Sequence, residues 1–292
     1  MSLGFIGLGV MGEPMCRNLA QKGDERVLAF DRQREPLDRL SAHGIAAVDG
    51  LPSIAVEAEV VFLSLPSGRH VEAVCSGPDG LLAHARPGQT IVDLGTTSVA
   101  LTRRLADDFA GKGVRYADAP IARTRQAAEA GTLSIMVGAD PATFETLRPL
   151  LNRMATDVTH CGAVGTGQIT KIMNNMVLVQ TVVALSEALA AGRRAGIDGH
   201  VLFNVLSKGS ADSFALRNHG TKALLSDTFP ERAFSTEYAL KDLSYALELA
   251  GDVGLDLQGA RLASDLLGKT VEAGYGDLYW PVVGRVIDRP TG

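Results

Sequence analysis

The chain has little of what a disulfide scaffold, a metal ribbon or an aromatic recognition surface needs. Only three of its 292 residues are cysteine. Cys16, Cys75 and Cys161 are far apart and odd in number, so neither a disulfide framework nor a zinc-ribbon spacing is written. Aromatics reach only 5%, too few for a large aromatic binding surface. Positive charge is not in excess: the net charge is −5, and no basic field is present to attract nucleic acid or an anionic membrane. No basic residue precedes Arg17, so the apolar start lacks the opening of a signal peptide. The longest uncharged run, 172–186, is interrupted by Asn174, Asn175 and Gln180 and falls short of the ~18 apolar residues of a spanning helix. His43, His70, His84, His160, His200 and His219 lack ligand spacing, so no metal is expected. G-x-S-x-G, the phosphate loop G-x-x-x-x-G-K-S/T and H-E-x-x-H are all missing. A soluble protein of a reducing cytosol follows as the expectation, with no nucleic acid and no membrane as partner.

What is present is an ordinary globular composition, 46% hydrophobic and 21% charged, with 32 glycines. The length points to roughly two domains. Short Val/Ile/Leu runs recur at Leu3–Ile6, Val27–Phe30, Val60–Leu65, Thr90–Asp93, Arg115–Ala119, Leu133–Val137 and Val158–Cys161. Amphipathic stretches such as Met11–Lys22, Arg34–His43 and Ser98–Lys112 lie between them. That alternation reads as βαβ units around a parallel sheet buried on both faces. After about Gly165 the strand signal stops. One long helix, apolar on most sides, is expected from Gln168 to Gly196, followed by helices at His200–Lys208, Tyr238–Val253 and Leu257–Ala273. The expected organisation is an α/β domain over 1–163 and an all-helical domain over 164–292.

The segment Gly7-Leu8-Gly9-Val10-Met11-Gly12 places G-x-G-x-x-G between the first strand and the first helix. Gly7 permits the tight turn, Gly9 admits a pyrophosphate to the backbone, and Gly12 lets the helix pack on the strand. The helix N-terminus adds N–H groups and partial positive charge. Asp31 ends the second strand 19 residues after Gly12, where an acid bonds the adenosine ribose and repels a 2′-phosphate. This points to NAD, while Arg32 beside it leaves NADP open.

Together with this turn, Glu13-Pro-Met15, Arg17-Asn-Leu19, Ser64-Leu-Pro66, Asp93-Leu-Gly-Thr-Thr-Ser98, Asp118-Ala-Pro120, Gly165-Thr-Gly-Gln168, Lys171-Ile-Met-Asn-Asn175 and Lys241-Asp-Leu243 resemble, in order, the β-hydroxyacid dehydrogenases, which include 3-hydroxyisobutyrate dehydrogenase. The resemblance implies a Rossmann domain, a long connecting helix and a helical domain for substrate and dimerisation. It makes Lys171 the catalytic acid/base, and Asn175, four positions on, shares its helix face. It also implies that Leu65, Pro66, Thr96 and Lys241 touch the cofactor. Thr96, Asn174, Phe234 and Asp242 would border the substrate. A homodimer or homotetramer formed through the helical domain is expected.

One departure stands out. The family reads Asp-x-Pro-Val-Ser-Gly-Gly where this chain reads Asp118-Ala-Pro-Ile-Ala122-Arg123-Thr124. Glycine freedom is lost there, and a guanidinium stands ready to grip an acid group. A similar Arg-Thr variant occurs in the family's sulfolactaldehyde reductase branch, which also handles succinic semialdehyde. The expectation is therefore a reductase of a short semialdehyde with a terminal anion, Arg123 clamping that anion. A 3-hydroxyisobutyrate dehydrogenase proper, an imine reductase and a non-catalytic NAD-binding scaffold are the alternatives.

Overall fold

The computed structural model describes residues 1–231 and 233–289. They divide into two units, Met1–Lys171 and Ile172–Gly292. The division falls inside the long helix, not in the loop before it, because the first turns of that helix are bound into the α/β unit.

Nine strands form one sheet in the first unit: β1 Ser2–Ile6, β2 Arg26–Phe30, β3 Ala46–Ala47, β4 Val60–Leu63, β5 Thr90–Asp93, β6 Arg115–Asp118, β7 Ile121–Ala122, β8 Leu133–Gly138 and β9 Ala155–Gly162. The helices between them are α1 Gly12–Gln21, α2 Arg34–Ser41, α3 Leu51–Glu57, α4 Gly68–Ser76, α5 Leu81–His84, α6 Val99–Ala110, α7 Arg125–Ala130 and α8 Pro141–Leu151. The strand order is β3-β2-β1-β4-β5-β6-β8-β7, with β9 also paired to β8. Strands β1 to β6 pair in parallel, and β8 runs antiparallel to β6 and β7. The connection from β7 to β8, residues 123–132, is shorter than the dozen or more that a parallel crossover takes.

Alternate residues of the central strands feed two cores. Leu3, Phe5, Val60 and Phe62 face Met15, Leu19 and Leu147, while Ile6, Val61, Leu63 and Ile91 face Ile54, Val71, Leu105 and Phe109. A parallel sheet covered on both sides demands this double burial. Cys16 and Cys75 are buried within these layers, and burial pushes both thiols well up from the usual range.

The second unit is helical. Helix α9, Thr166–Arg194, supplies its first long element, followed by α10 Gly199–Leu206, α11 Thr236–Asp252, α12 Gln258–Thr270 and α13 Val283–Ile287. A π-helical segment spans Leu216–Leu224, and another extends α12 over Val271–Tyr275, so the expected single helix Leu257–Ala273 ends in a looser turn. Length and composition alone would let α9 cross a membrane. Its Leu189 and Ser186 instead pack against Gly199 and Gly284 of the same unit.

Candidate active site

The turn between β1 and α1 is built around two close backbone approaches. Gly7 has φ +92°, and a Cβ there would lie 2.3 Å from the Ser64 carbonyl oxygen; one on Gly12 would lie 2.0 Å from the Gly7 carbonyl oxygen. Gly9 is different: nothing lies within 4 Å of its ideal Cβ. The protein leaves that space open, and no side chain of Met11 caps the first turn of α1. An anion can therefore reach the N–H groups there. Glu13, in the first turn, would oppose an anion, but Arg39 grips its carboxylate with two hydrogen bonds of 2.7 Å. That pairing holds the Glu13 carboxyl below its ordinary pKa.

Asp31 faces the same turn from the end of β2. One carboxylate oxygen accepts from Leu8 N–H at 2.6 Å, and the other accepts from Gln33 N–H at 2.8 Å. It thus braces the turn before any ribose arrives. Leu8 meets the turn through its backbone: its side chain is buried in the core and its N–H donates to Asp31. Val10 and Arg32 are exposed, Met11 and Leu65 half-buried, and Pro66 lies at the surface.

A second cluster organises the loop after β5. Asp93 is fully buried and accepts from Gly95 N–H at 2.9 Å and the Thr97 hydroxyl at 2.7 Å. Gln168, in the first turn of α9, closes the loop from the other side. Its Oε1 accepts from Thr97 N–H (3.1 Å) and its Nε2 donates to the Gly95 carbonyl (2.9 Å). Gln168 therefore brackets Thr96, which is held half-buried at the loop tip.

Asp118 fixes the start of α9 itself. Its two oxygens accept from Gly165 N–H at 2.6 Å and Gln168 N–H at 2.7 Å, a carboxylate at the positive end of a long helix. Burial raises its pKa to about 6, against the opposing pull of those N–H groups. The neighbouring glycines follow from this contact: a Cβ on Gly138 would sit 2.4 Å from Asp118 Oδ1, and one on Gly167 2.8 Å from Oδ2. Lys171 stands in the next turn, half-buried. In the sequence, Asp118 and Gly165-Thr-Gly-Gln168 belong to motifs of the family resemblance, and neither Asp118 nor Gln168 has a role assigned. The available signal was the pairing of a strand-end acid with Gly-x-Gly-Gln at a helix start.

Arg123 opens the loop after β7. Its backbone keeps a glycine-like conformation, φ +86°, despite the loss of glycine. Its guanidinium is not presented as an open clamp: it donates to the Thr132 carbonyl at 2.6 Å, to Thr156 Oγ1 at 2.8 Å and to Asp157 Oδ2 at 2.5 Å. Thr124 caps α7 by accepting from Ala127 N–H, and Ala122 ends β7 beside Ser134.

In the helical unit, Asn175 Nδ2 donates to Asp242 Oδ2 at 2.6 Å, and its Oδ1 accepts from Asn174 Nδ2 at 3.1 Å. Both polar ends of Asn175 are thereby oriented. Lys241 Nζ lies 3.1 Å from Asp242 Oδ1 and over the rings of Tyr238 and Tyr245, at 5.3 and 5.5 Å. Phe234 is half-buried, its ring 6.5 Å from that of Tyr238. The two tyrosines carried no sequence signal of their own beyond their helical spacing around Lys241.

Residues 2–162 match the family model described as the NAD binding domain of 6-phosphogluconate dehydrogenase. Residues 165–279 match that of the NAD-binding domain of NADP-dependent 3-hydroxyisobutyrate dehydrogenase. The 2-(hydroxymethyl)glutarate dehydrogenase of Eubacterium barkeri is 34% identical over 100% of this chain and 96% of its own length. The 2-hydroxy-3-oxopropionate reductase of Escherichia coli is 34% identical over 91% and 90%. A solved structure of Mycobacterium tuberculosis 3-hydroxyisobutyrate dehydrogenase with L-serine superimposes with a TM-score of 0.90 at 32% identity, covering 99% of each chain.

Proposed function

The chain belongs to the β-hydroxyacid dehydrogenase family and is an NAD(P)-dependent oxidoreductase, and from that premise we propose that it interconverts a short hydroxy acid and its semialdehyde, with Lys171 as the acid/base. One observation carries this reading. Asp118 and Gln168 bind the first turn of α9 to the loop bearing Thr96, so the helix presenting Lys171 and the loop presenting a hydroxyl belong to one rigid piece.

The β1–α1 turn fits a dinucleotide: Gly9 leaves room for a pyrophosphate, the helix end is uncapped, and Asp31 faces the turn. Gly7, Leu8, Val10, Met11 and Gly12 would line the phosphates, Asp31 and Arg32 the adenosine end, and Leu65, Pro66, Thr96 and Lys241 the remainder. Asp31 supports NAD over NADP. The bound nicotinamide supplies the hydride acceptor or donor. Lys171 takes the hydroxyl proton during oxidation and returns it to the forming alkoxide during reduction. Asn175, oriented by Asp242 and Asn174, is assigned to the substrate oxygen, and Phe234 to the pocket wall. The loop 122–124 is assigned to the substrate's terminal anion. Sulfolactaldehyde and succinic semialdehyde fit this reading better than 3-hydroxyisobutyrate, on the ground that the loop departs from the family pattern.

We assign the enzyme to the cytoplasm, which its three free thiols support, and to a homodimer or homotetramer. Val177 of α9 and Leu262 of α12 are 58% and 55% exposed, which supports burial against a second copy. The test of the activity is a turnover screen of the three substrates with NAD and NADP. Lys171→Ala should lower kcat by about 10²–10⁴-fold while cofactor titration still shows binding. Near-normal turnover in that variant removes Lys171 from the mechanism.

A further inference from the structure

Two irregularities meet at one point of the first unit. Arg123 and Asp227 are the non-glycine residues with positive φ among those described. Aspartate tolerates that region, whereas a long, unbranched cation gains nothing locally from it. Across the sheet edge, β9 carries a bulge: Leu133 pairs with Ala155 but Ser134 pairs with Asp157, so Thr156 is an extra residue. In an unbroken strand Thr156 and Asp157 would point to opposite faces. The bulge re-aims them, and both meet the same guanidinium. Thr156 also donates to Asp157 Oδ2 at 3.0 Å, completing a closed set of bonds with the Thr132 carbonyl.

We propose that Arg123 is a positioning residue whose side chain, latched onto the β9 bulge, holds its own backbone in a glycine-like conformation so that the N–H groups of the 122–124 loop receive the substrate's anion. The proposal rests on the reading of that loop as the anion site. It reverses the division of labour expected from the sequence. The guanidinium charge is already balanced by Asp157, so an anion approaching that pair meets a carboxylate as well as a cation. The latch uses only atoms of this unit, and the loop geometry is therefore set before substrate binds, which is what preorganisation requires. Glycine needs no latch to adopt this backbone, which explains how one position can hold either residue.

Four proteins test it: wild type, Arg123→Ala, Arg123→Gly and Asp157→Asn, each with succinic semialdehyde and with its methyl ester, alongside the cofactor KM and thermal unfolding. Arg123→Ala loses the latch and keeps the unfavourable backbone. Asp157→Asn weakens the latch with Arg123 in place. Both should raise KM for the acid about five- to tenfold, with kcat and cofactor KM within about twofold. Arg123→Gly should recover most of the affinity that Arg123→Ala loses. If Arg123→Gly is as weak as Arg123→Ala while Asp157→Asn keeps or improves the wild-type KM, the guanidinium itself binds the anion and the latch is wrong. An unchanged KM in Arg123→Ala also overturns it. The underlying reading fails separately, and visibly, if wild type turns over the ester as well as the acid.

Discussion

Gly9 and Gly12 lie three residues apart in one motif, yet the structure gives them different physical duties. A methyl at Gly12 collides with backbone at 2.0 Å, whereas one at Gly9 meets nothing within 4 Å. Gly12→Ala should therefore destabilise the fold, by about 1–3 kcal/mol as overpacking does, and lower the unfolding temperature. Gly9→Ala should leave that temperature within a degree or two of wild type while cofactor affinity falls steeply, because its methyl would enter only open space, the space proposed for the cofactor's pyrophosphate. Calorimetric titration beside thermal unfolding checks both, and equal losses of stability in the two variants would refute the distinction. At this scale the motif residues were legible because spacing alone identifies them. Arg123 was not, since its destination depends on Thr156 and Asp157, more than thirty positions away and brought within reach by a bulge that leaves no trace in composition. Asp118 and Gln168 were hidden for a similar reason: a polar residue that is fully satisfied internally looks, in sequence, like any surface polar residue.

At the scale of the element, α9 is governed by the carboxylate at its start. Asp118 has an ordinary pKa of 3.8 that burial raises to about 6 in the folded chain. Below 3.8 both folded and unfolded states hold the proton. Between there and about 6 the folded state keeps a proton that the unfolded chain has released, so stability falls as pH rises through this window. Above it the cost of burying the charge is constant. Asp118→Asn, neutral throughout, should abolish that slope: urea unfolding at pH 4, 5, 6 and 7 should show the variant gaining on wild type between 4 and 6 and running parallel above. Parallel curves across the whole range would show that Asp118 does not titrate there. The long helix was legible from its apolar run, though its start was placed at Gln168 and is observed at Thr166. The two-residue strands β3 and β7 were not, because pairs of that length have no periodicity to read. The strand expected at Val158–Cys161 starts earlier, at Ala155. Its added residues Thr156 and Asp157 are exposed and break the apolar pattern.

At the scale of the whole molecule, the texture of the sequence changes near Gly165, and the two family models match on either side of that point. The helical unit exposes Val177 and Leu262 on α9 and α12, helices that approach closely enough for a Cβ on Gly259 to touch Gln180. Light scattering of the wild type should report a dimer or tetramer. The double variant Val177→Asp, Leu262→Asp should shift it toward monomer without altering NAD binding, and an unchanged mass would place the interface elsewhere. The sheet order carries a different consequence. The loops assigned to the dinucleotide follow β1, β2, β4 and β5, whereas the loop assigned to the substrate's terminal anion follows β7, at the far end of the strand order. Cofactor preference and substrate preference are thus inherited on separate stretches of chain, and a lineage could exchange one by drift or recombination while leaving the other as it was.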